Sequence, residues 1–238
     1  MLRVSRDGKL MFVADASYIK VTRVSDGTRV KSIGRHRLDS PQGVCVSPDG
    51  ELLYVADTNK NHVEVFRISD GKHKQTISID DSPYRLCISP DGQELFVSTE
   101  HCITVLNIKD GSLEYIGEPG FRDGQFSSPE GLCLSQDGQK LFVMTNHRIQ
   151  VFNVSDGEYL QTLRLLNPVK PTDLCLSPDG QEIFVTDQNN NYIQVLNALD
   201  GTHLRTINGL DLPYSICLSP DKQELFVAEN HKIKVFQV

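Results

Sequence analysis

Apolar and polar positions alternate along most of the chain in short runs, and clusters of Gly, Pro, Asp or Asn close each run. Residues 173–208 show one unit of this pattern. Leu174-Cys175-Leu176 is a short apolar run, and Ser177-Pro178-Asp179-Gly180 follows as a tight turn. Proline presets φ at the second turn position, and glycine accepts the left-handed conformation that ends such a turn. Glu182-Ile183-Phe184-Val185 is the second run. A polar loop from Asp187 to Asn191 leads to a third, in which Ile193 and Val195 share one face. Asp200-Gly201 then turns the chain into a fourth run, Leu204 to Ile207. The alternation and the turn chemistry predict four short antiparallel strands, and nothing in the unit reads as a helix.

The unit recurs. SRDGKLMFV begins at Ser5, SPDGELLYV at Ser47, SPDGQELFV at Ser89, SQDGQKLFV at Ser135, SPDGQEIFV at Ser177 and SPDKQELFV at Ser219, with spacings of 42, 42, 46, 42 and 42 residues. A four-stranded sheet this small cannot bury both of its faces, whereas six packed side by side around an axis can. The expected fold is therefore all-β. It is a six-bladed β-propeller of four-stranded antiparallel blades in a single domain over residues 1–238, with repeats starting near 1, 43, 85, 131, 173 and 215. The aromatic residue of each copy (Phe12, Tyr54, Phe96, Phe142, Phe184, Phe226) is expected to pack between neighbouring blades. The sixth repeat stops at its third strand, Lys232 to Val238, so the last blade is expected to lack its outermost strand. The other repeats carry all four, which favours a piece of a longer protein over a three-stranded blade.

Composition narrows the function classes. The hydrophobic fraction of 39% suffices for a buried core, and no apolar run approaches the ~20 residues that cross a bilayer. The first residues lack the continuous apolar core of a secretion signal, so a cytoplasmic location, or the soluble part of a larger protein, is expected. A net charge of −7 opposes partners recognised through bulk phosphate charge. Cys45, Cys87, Cys133, Cys175 and Cys217 each lie two residues before a turn serine, so they are one position copied five times. They are read as small buried residues and not as a disulfide framework.

Residues 117–152, GEPGFRDGQFSSPEGLCLSQDGQKLFVMTNHRIQVF, resemble an NHL repeat in their DGQF, their P-x-G before an apolar strand and their closing R-I-Q-V-F. The segment PQGVCVSPDGELLYVADTNKNHVEVF at 41–66 is similar, and SPDG with LFV also resembles YVTN-type propeller repeats. The resemblance implies a six-bladed propeller with its sites on the loops around a central channel. Gln42, Tyr84, Arg85, Glu130, Thr172, Asp173, Tyr214 and Ser215 precede the first strands and are expected to ring that mouth. None is a histidine, which argues against the zinc chemistry of related lyase propellers. Related lactonase propellers hold a divalent cation on oxygen ligands. Glu130 and Asp173 are two carboxylates in adjacent blades, without an evident third, and solvated loop charge is the preferred reading. His101, His147 and His231 share one repeat position and are read as turn residues. Asp15, Asp57 and Asp187, after the second strand, are read as caps of their own loops.

No serine–histidine–aspartate order and no phosphate loop stands out, so neither a catalytic residue nor a cofactor is assigned. Some TRIM-NHL propellers bind RNA on a basic mouth, but the positive residues here are local and offset by Asp80 and Asp81. RNA is therefore not expected, and neither is a membrane partner. The expected function is a non-catalytic platform for a protein or peptide, with a metal-dependent lactonase or hydrolase as the alternative. The residues expected to contact the partner differ between blades: Arg35, Arg37, Tyr84, Arg85, Phe121, Arg122, Glu130 and Tyr214. Phe121 lies in the long loop before the fourth repeat and is expected either to protrude or to fold back onto its blade.

Overall fold

The computed structural model describes residues 1–168, 170–221, 223–230 and 232–238. The fold is all-β, with six sheets as the blades of a six-bladed β-propeller, five of four strands and the last of three. The helical content among the described residues is one 3₁₀ turn, Thr58–Lys60. Among the described residues, no helix is long and apolar enough to cross a membrane.

The chain separates into two compact units, one of residues 1–100 with 104–114 and one of residues 101–103 with 115–238. The first carries blades one and two and most of blade three. Blade one is Leu2–Val4, Leu10–Asp15, Tyr18–Arg23 and Arg29–Ile33, and blade two is Pro41–Val46, Leu52–Asp57, His62–Arg67 and His73–Ser78. Blade three is built on Leu86–Ile88, Glu94–Ser98 and Ile103–Asn107, with Leu113–Ile116 outermost. The second unit carries blades four to six. Blade four is Pro129–Leu134, Lys140–Thr145, Arg148–Asn153 and Tyr159–Arg164, and blade five is Pro171–Leu176, Glu182–Asp187, Tyr192–Asn197 and His203–Ile207. Blade six ends at its third strand: Ser215–Leu218, Glu224–Glu229 and Lys232–Gln237.

Each blade is a meander of antiparallel neighbours, and within each unit neighbouring blades bury apolar faces against one another. Phe12 and Ile19 of blade one form a cluster with Val44, Leu53 and Phe66 of blade two, and Tyr54 continues it toward Leu86 and Leu95. Phe142 does the same for blades four and five, and Phe184 for blades five and six. Burying each such side chain contributes about 1.5–3 kcal/mol. The repeated aromatic is therefore core, as its pattern predicts.

The turn that opens every repeat has a reason beyond its proline and glycine. The Ser5 hydroxyl donates to Asp7 at 2.7 Å and accepts the Leu10 amide at 2.8 Å, while the Gly8 amide reaches the Ser5 carbonyl. Ser89 with Asp91 at 2.6 Å and Ser177 with Asp179 at 2.5 Å repeat the arrangement. The serine thus joins the turn to the first amide of the second strand, and the serine hydroxyl together with a backbone amide holds each aspartate below the ordinary carboxylate range.

None of the six cysteines is joined in a disulfide. Burial pushes the Cys45 thiol up to about 12, with Arg3 pulling weakly the other way. Cys45 packs beside Tyr54 and Leu86, so it serves as a small apolar residue.

Candidate functional site

In blades two and five, the loop leading into the first strand and the turn between the second and third strands lie at the same end, opposite the Ser-Asp turns. That follows from the pairing of Pro41 with Asp57 and of Asp57 with His62 in blade two, and of Pro171, Asp187 and Tyr192 in blade five. Arg35, Arg37, Tyr84, Arg85, Phe121, Arg122 and Tyr214 are carried by such leading loops, whereas Glu130 lies, with Gln42, Thr172, Asp173 and Ser215, in the first strands themselves and not before them as expected.

The loops are braced from below by two repeat positions. One is the acidic residue at the end of the second strand. Asp57, fully buried, accepts the amides of Asp39 at 3.0 Å and Ser40 at 2.8 Å. Asp187 accepts the Lys170 amide at 3.0 Å, and Glu229 the Asp211 amide at 2.8 Å. Burial raises the Glu229 carboxyl, but the Asp211 amide and the Lys234 and Lys232 ammonium groups outweigh it and hold it ionised. Asp57 and Asp187 therefore clamp the loop before their blade, whereas Asp15 bonds the adjacent Ala16 amide. Local capping, the reading from sequence, holds for Asp15 and also for Asp187, which accepts the Asn190 side-chain amide of its own loop at 3.0 Å, while Asp57 has the Lys60 ammonium at 3.9 Å beside its loop-clamping bonds.

The second brace is the third residue of the third strand. In blade four, Gln150 accepts the Gly124 amide and donates to the Gln125 carbonyl, both at 2.7 Å. In blade five, Gln194 accepts the Leu166 amide and donates to its carbonyl, both at 2.9 Å. In blade two the position is Glu64, buried, which meets His73 at 2.7 Å, Thr76 at 2.8 Å and Arg37 at 3.4 Å. Sequence reasoning passed over this position because a lone polar residue in a strand looks like a solvent-facing one. Its recurrence at the same register was the available signal.

In the first unit, the loop from Gly34 to Leu38 closes on the Gly34 carbonyl, which accepts the Arg37 and Leu38 amides. The Arg35 guanidinium stacks over Tyr18 at 4.2 Å, and Arg29 stands over the same ring at 5.4 Å. Arg37 turns to Glu64, and the Lys60 ammonium donates to the Arg37 carbonyl. A cavity of about 340 Å³ opens beside His36, Arg37, Lys60 and His62. Arg85 reaches the Gln42 carbonyl at 3.2 Å, and Tyr84 is half-buried. Burial, then Glu100 and Asp81, push the Tyr84 phenol up.

In the second unit, the long loop before blade four is tied at several points. Glu118–Pro119 pairs in parallel with Gln125–Phe126, and Phe126 is buried against Phe152 at 5.1 Å. Arg148 donates to the carbonyls of Phe121 at 2.6 Å and Arg122 at 2.7 Å, and meets Asp123 at 3.2 Å. With its backbone so fixed, the Phe121 side chain protrudes, 74% exposed, and Arg122 beside it is exposed as well. Two further residues, absent from the sequence-based set, behave alike: Leu166 before blade five is 52% exposed and Leu212 before blade six is 40% exposed. Leu212 has φ of 50°, a strained conformation for a branched side chain, and its amide is held by Asn191 at 2.8 Å.

Glu130 is exposed on the bulge between Pro129 and Gly131, and Tyr214 is half-buried. Asp173 is buried. Its carboxylate accepts the Ser215 hydroxyl at 2.7 Å and the amides of Ile216 at 3.1 Å and Leu174 at 3.0 Å. The described residues contain no group of three His, Cys, Asp or Glu side chains placed to hold a metal ion. His101 and His147 are exposed turn residues, and His231 lies outside the described residues.

Residues 38–66 match the sequence model of the NHL repeat family. This segment is similar to an NHL repeat. It comprises the end of the Arg35–Arg37 loop, the Asp57 clamp and the third strand that carries Glu64, so the bracing scheme lies within the matched segment. Over 77 residues, 32% of this chain, the sequence is 31% identical to an uncharacterized WD repeat-containing protein of Synechocystis sp.. The chain covers 22% of that protein's length. Among solved structures, a chain of the hydrazine synthase of Kuenenia stuttgartiensis superposes with a TM-score of 0.76 over 100% of this chain and 94% of that one, at 15% identity. That likeness is one of fold.

Proposed function

We propose that this NHL-type propeller is a non-catalytic binding platform that takes a protein or peptide on its leading loops. The observation that carries the reading is the exposure of Phe121, Leu166 and Leu212 on braced backbones before three successive blades. An apolar side chain held in water by a fixed loop costs free energy that a partner recovers by covering it. Because Arg148, Gln150 and Gln194 already order the loops, binding pays little further ordering entropy. Arg122, Glu130 and Tyr214 supply the polar and aromatic margin in the same unit. Arg35, Arg37, Tyr84 and Arg85 are the corresponding contacts offered by the first unit.

A selection of random peptides displayed on phage, with wild-type protein as bait, tests the reading. Enriched peptides are expected to lose at least tenfold in affinity, about 1.4 kcal/mol, on a Phe121→Ser/Leu166→Ser/Leu212→Ser variant of unchanged melting temperature. Peptides that bind this variant as well as wild type would place the site elsewhere.

A further inference from the structure

A second site lies at the other end of the blades, between the Ser-Asp turns of blades four and five. A cavity of about 460 Å³ opens there, floored by the buried side chains of Phe142, Leu176 and Ala198. Its walls are the turns around Asp137 and Asp179, and Lys140, Gln181 and Leu199 stand on the rim.

The cavity sits where the repeat departs from itself at four positions at once. Gln136 occupies the place of Pro48, Pro90, Pro178 and Pro220, and of Arg6 in the first repeat. Ala198 stands where the other repeats carry Val24, Ile68, Ile108, Val154 and Val238. Leu199 replaces Ser25, Ser69, Lys109 and Ser155, and Lys140 replaces Leu10, Leu52, Glu94, Glu182 and Glu224. Each change alters the cleft physically. A Cβ placed on Gly92 would meet the Pro48 ring at 3.2 Å, and one on Gly50 would meet Arg6 at 3.5 Å, but one on Gly180 would meet nothing within 4 Å. Beside Gly180 the space is open, and Gln136 spans the two turns by donating to the Pro178 carbonyl. Alanine at 198 leaves out the branched side chain that would fill the floor. Leu199 then sets an apolar lip, 73% exposed, at a turn position that elsewhere is polar.

Four coincident departures around one cavity, in a repeat otherwise so regular, mark a built recess and not a packing defect. Asp137 and Asp179 flank it as carboxylates that serine hydroxyls, followed by backbone amides, hold below the ordinary range, so both are ionised at neutral pH. Lys140 is the cation among the lining residues, so the margin favours a positive group. The exposed Leu199 extends the apolar surface outside the cavity, which suits a polypeptide segment better than a single small group. We infer that this cleft receives an apolar side chain from a partner polypeptide, whose neighbouring basic residues face Asp137 and Asp179. The site is separate from the leading loops, at the opposite end of the same strands.

The test uses three synthetic peptides and methyl NMR of the full chain. Acetyl-Arg-Leu-Ala-Leu-Arg-amide is expected to shift the Ala198, Leu176 and Leu199 methyls, titrating up to about 5 mM, the range suited to one buried side chain. The Arg-Ser-Ala-Ser-Arg and Glu-Leu-Ala-Leu-Glu counterparts are expected to bind at least tenfold more weakly. Ala198→Val with Leu199→Ser restores what sister repeats carry, so this variant should fold, fill the cleft and lose the response. The Phe121→Ser/Leu166→Ser/Leu212→Ser variant should bind the first peptide unchanged, which separates this site from the proposed platform. Absence of shifts in wild type, equal shifts from all three peptides, or an undiminished response in the restored variant would each overturn the inference.

Discussion

The Asp173 carboxylate accepts the Ser215 hydroxyl at 2.7 Å, and the same oxygen takes the Ile216 amide at 3.1 Å. One buried carboxyl group thereby joins the first strands of blades five and six. Asp173→Ala leaves a hydroxyl and an amide without their acceptor in the interior. A loss of about 2–4 kcal/mol is expected in urea unfolding. Asp173→Asn keeps one acceptor and should lose less. A fully stable alanine variant would remove the bracing role.

The leading-loop clamp is testable at Asp57. Its two amide partners, Asp39 and Ser40, should exchange hydrogen faster in Asp57→Ala, and stability should fall by about 2–4 kcal/mol. Asp15→Ala, at the equivalent position but bonded within its own turn to the Ala16 amide and the Tyr18 side chain, should cost no more than about 1 kcal/mol. Equal losses in the two variants would contradict the distinction.

Gly43 is required by proximity. A Cβ there would lie 2.6 Å from the Tyr84 carbonyl oxygen and 3.1 Å from the Arg85 Cα, both backbone atoms that cannot rotate away. Gly43→Ala is expected to cost about 1–3 kcal/mol in denaturant unfolding and to disturb the Tyr84–Arg85 amide resonances. A stable variant with unperturbed resonances would refute the close approach.

The Ser-Asp turns make stability depend on acid. Asp49, Asp91, Asp137 and Asp179 are held down by the serine hydroxyl and then by backbone amides. Their folded pKa lies below the unfolded value near 3.9, so the turns stabilise the fold above about pH 4. That contribution is lost as pH falls through the lower folded value. Replacing Ser47, Ser89 and Ser177 by alanine should lower the melting temperature at pH 7 and flatten its decline below pH 4. A parallel decline in both proteins would dissociate the turns from the pH response.

The repeat, its strands and its inter-blade aromatics were legible in sequence because a period of two, a proline–glycine turn and a 42-residue spacing are local signals. The serine and aspartate of the turn were visible as letters, but their mutual hydrogen bond is a matter of side-chain rotamers. For the candidate site, sequence marked Phe121 as sitting in a long loop, yet left open whether it protrudes. Arg148 and Gln150, more than twenty residues away, decided that by holding the loop backbone. Leu166 and Leu212 passed unnoticed because an apolar residue between apolar strands reads as core.

Thus the sequence by itself determined the blades: which residues form strands, where the turns fall, and which aromatic enters the core. Those properties depend on neighbours along the chain and on a repeat that can be counted. Tertiary structure alone decided that Asp173 is a brace, that Asp57 holds a preceding loop, and that Gln136, Ala198 and Leu199 border one cleft. Each is set by contacts between residues far apart in sequence, whose burial and partners exist only once the blades have packed.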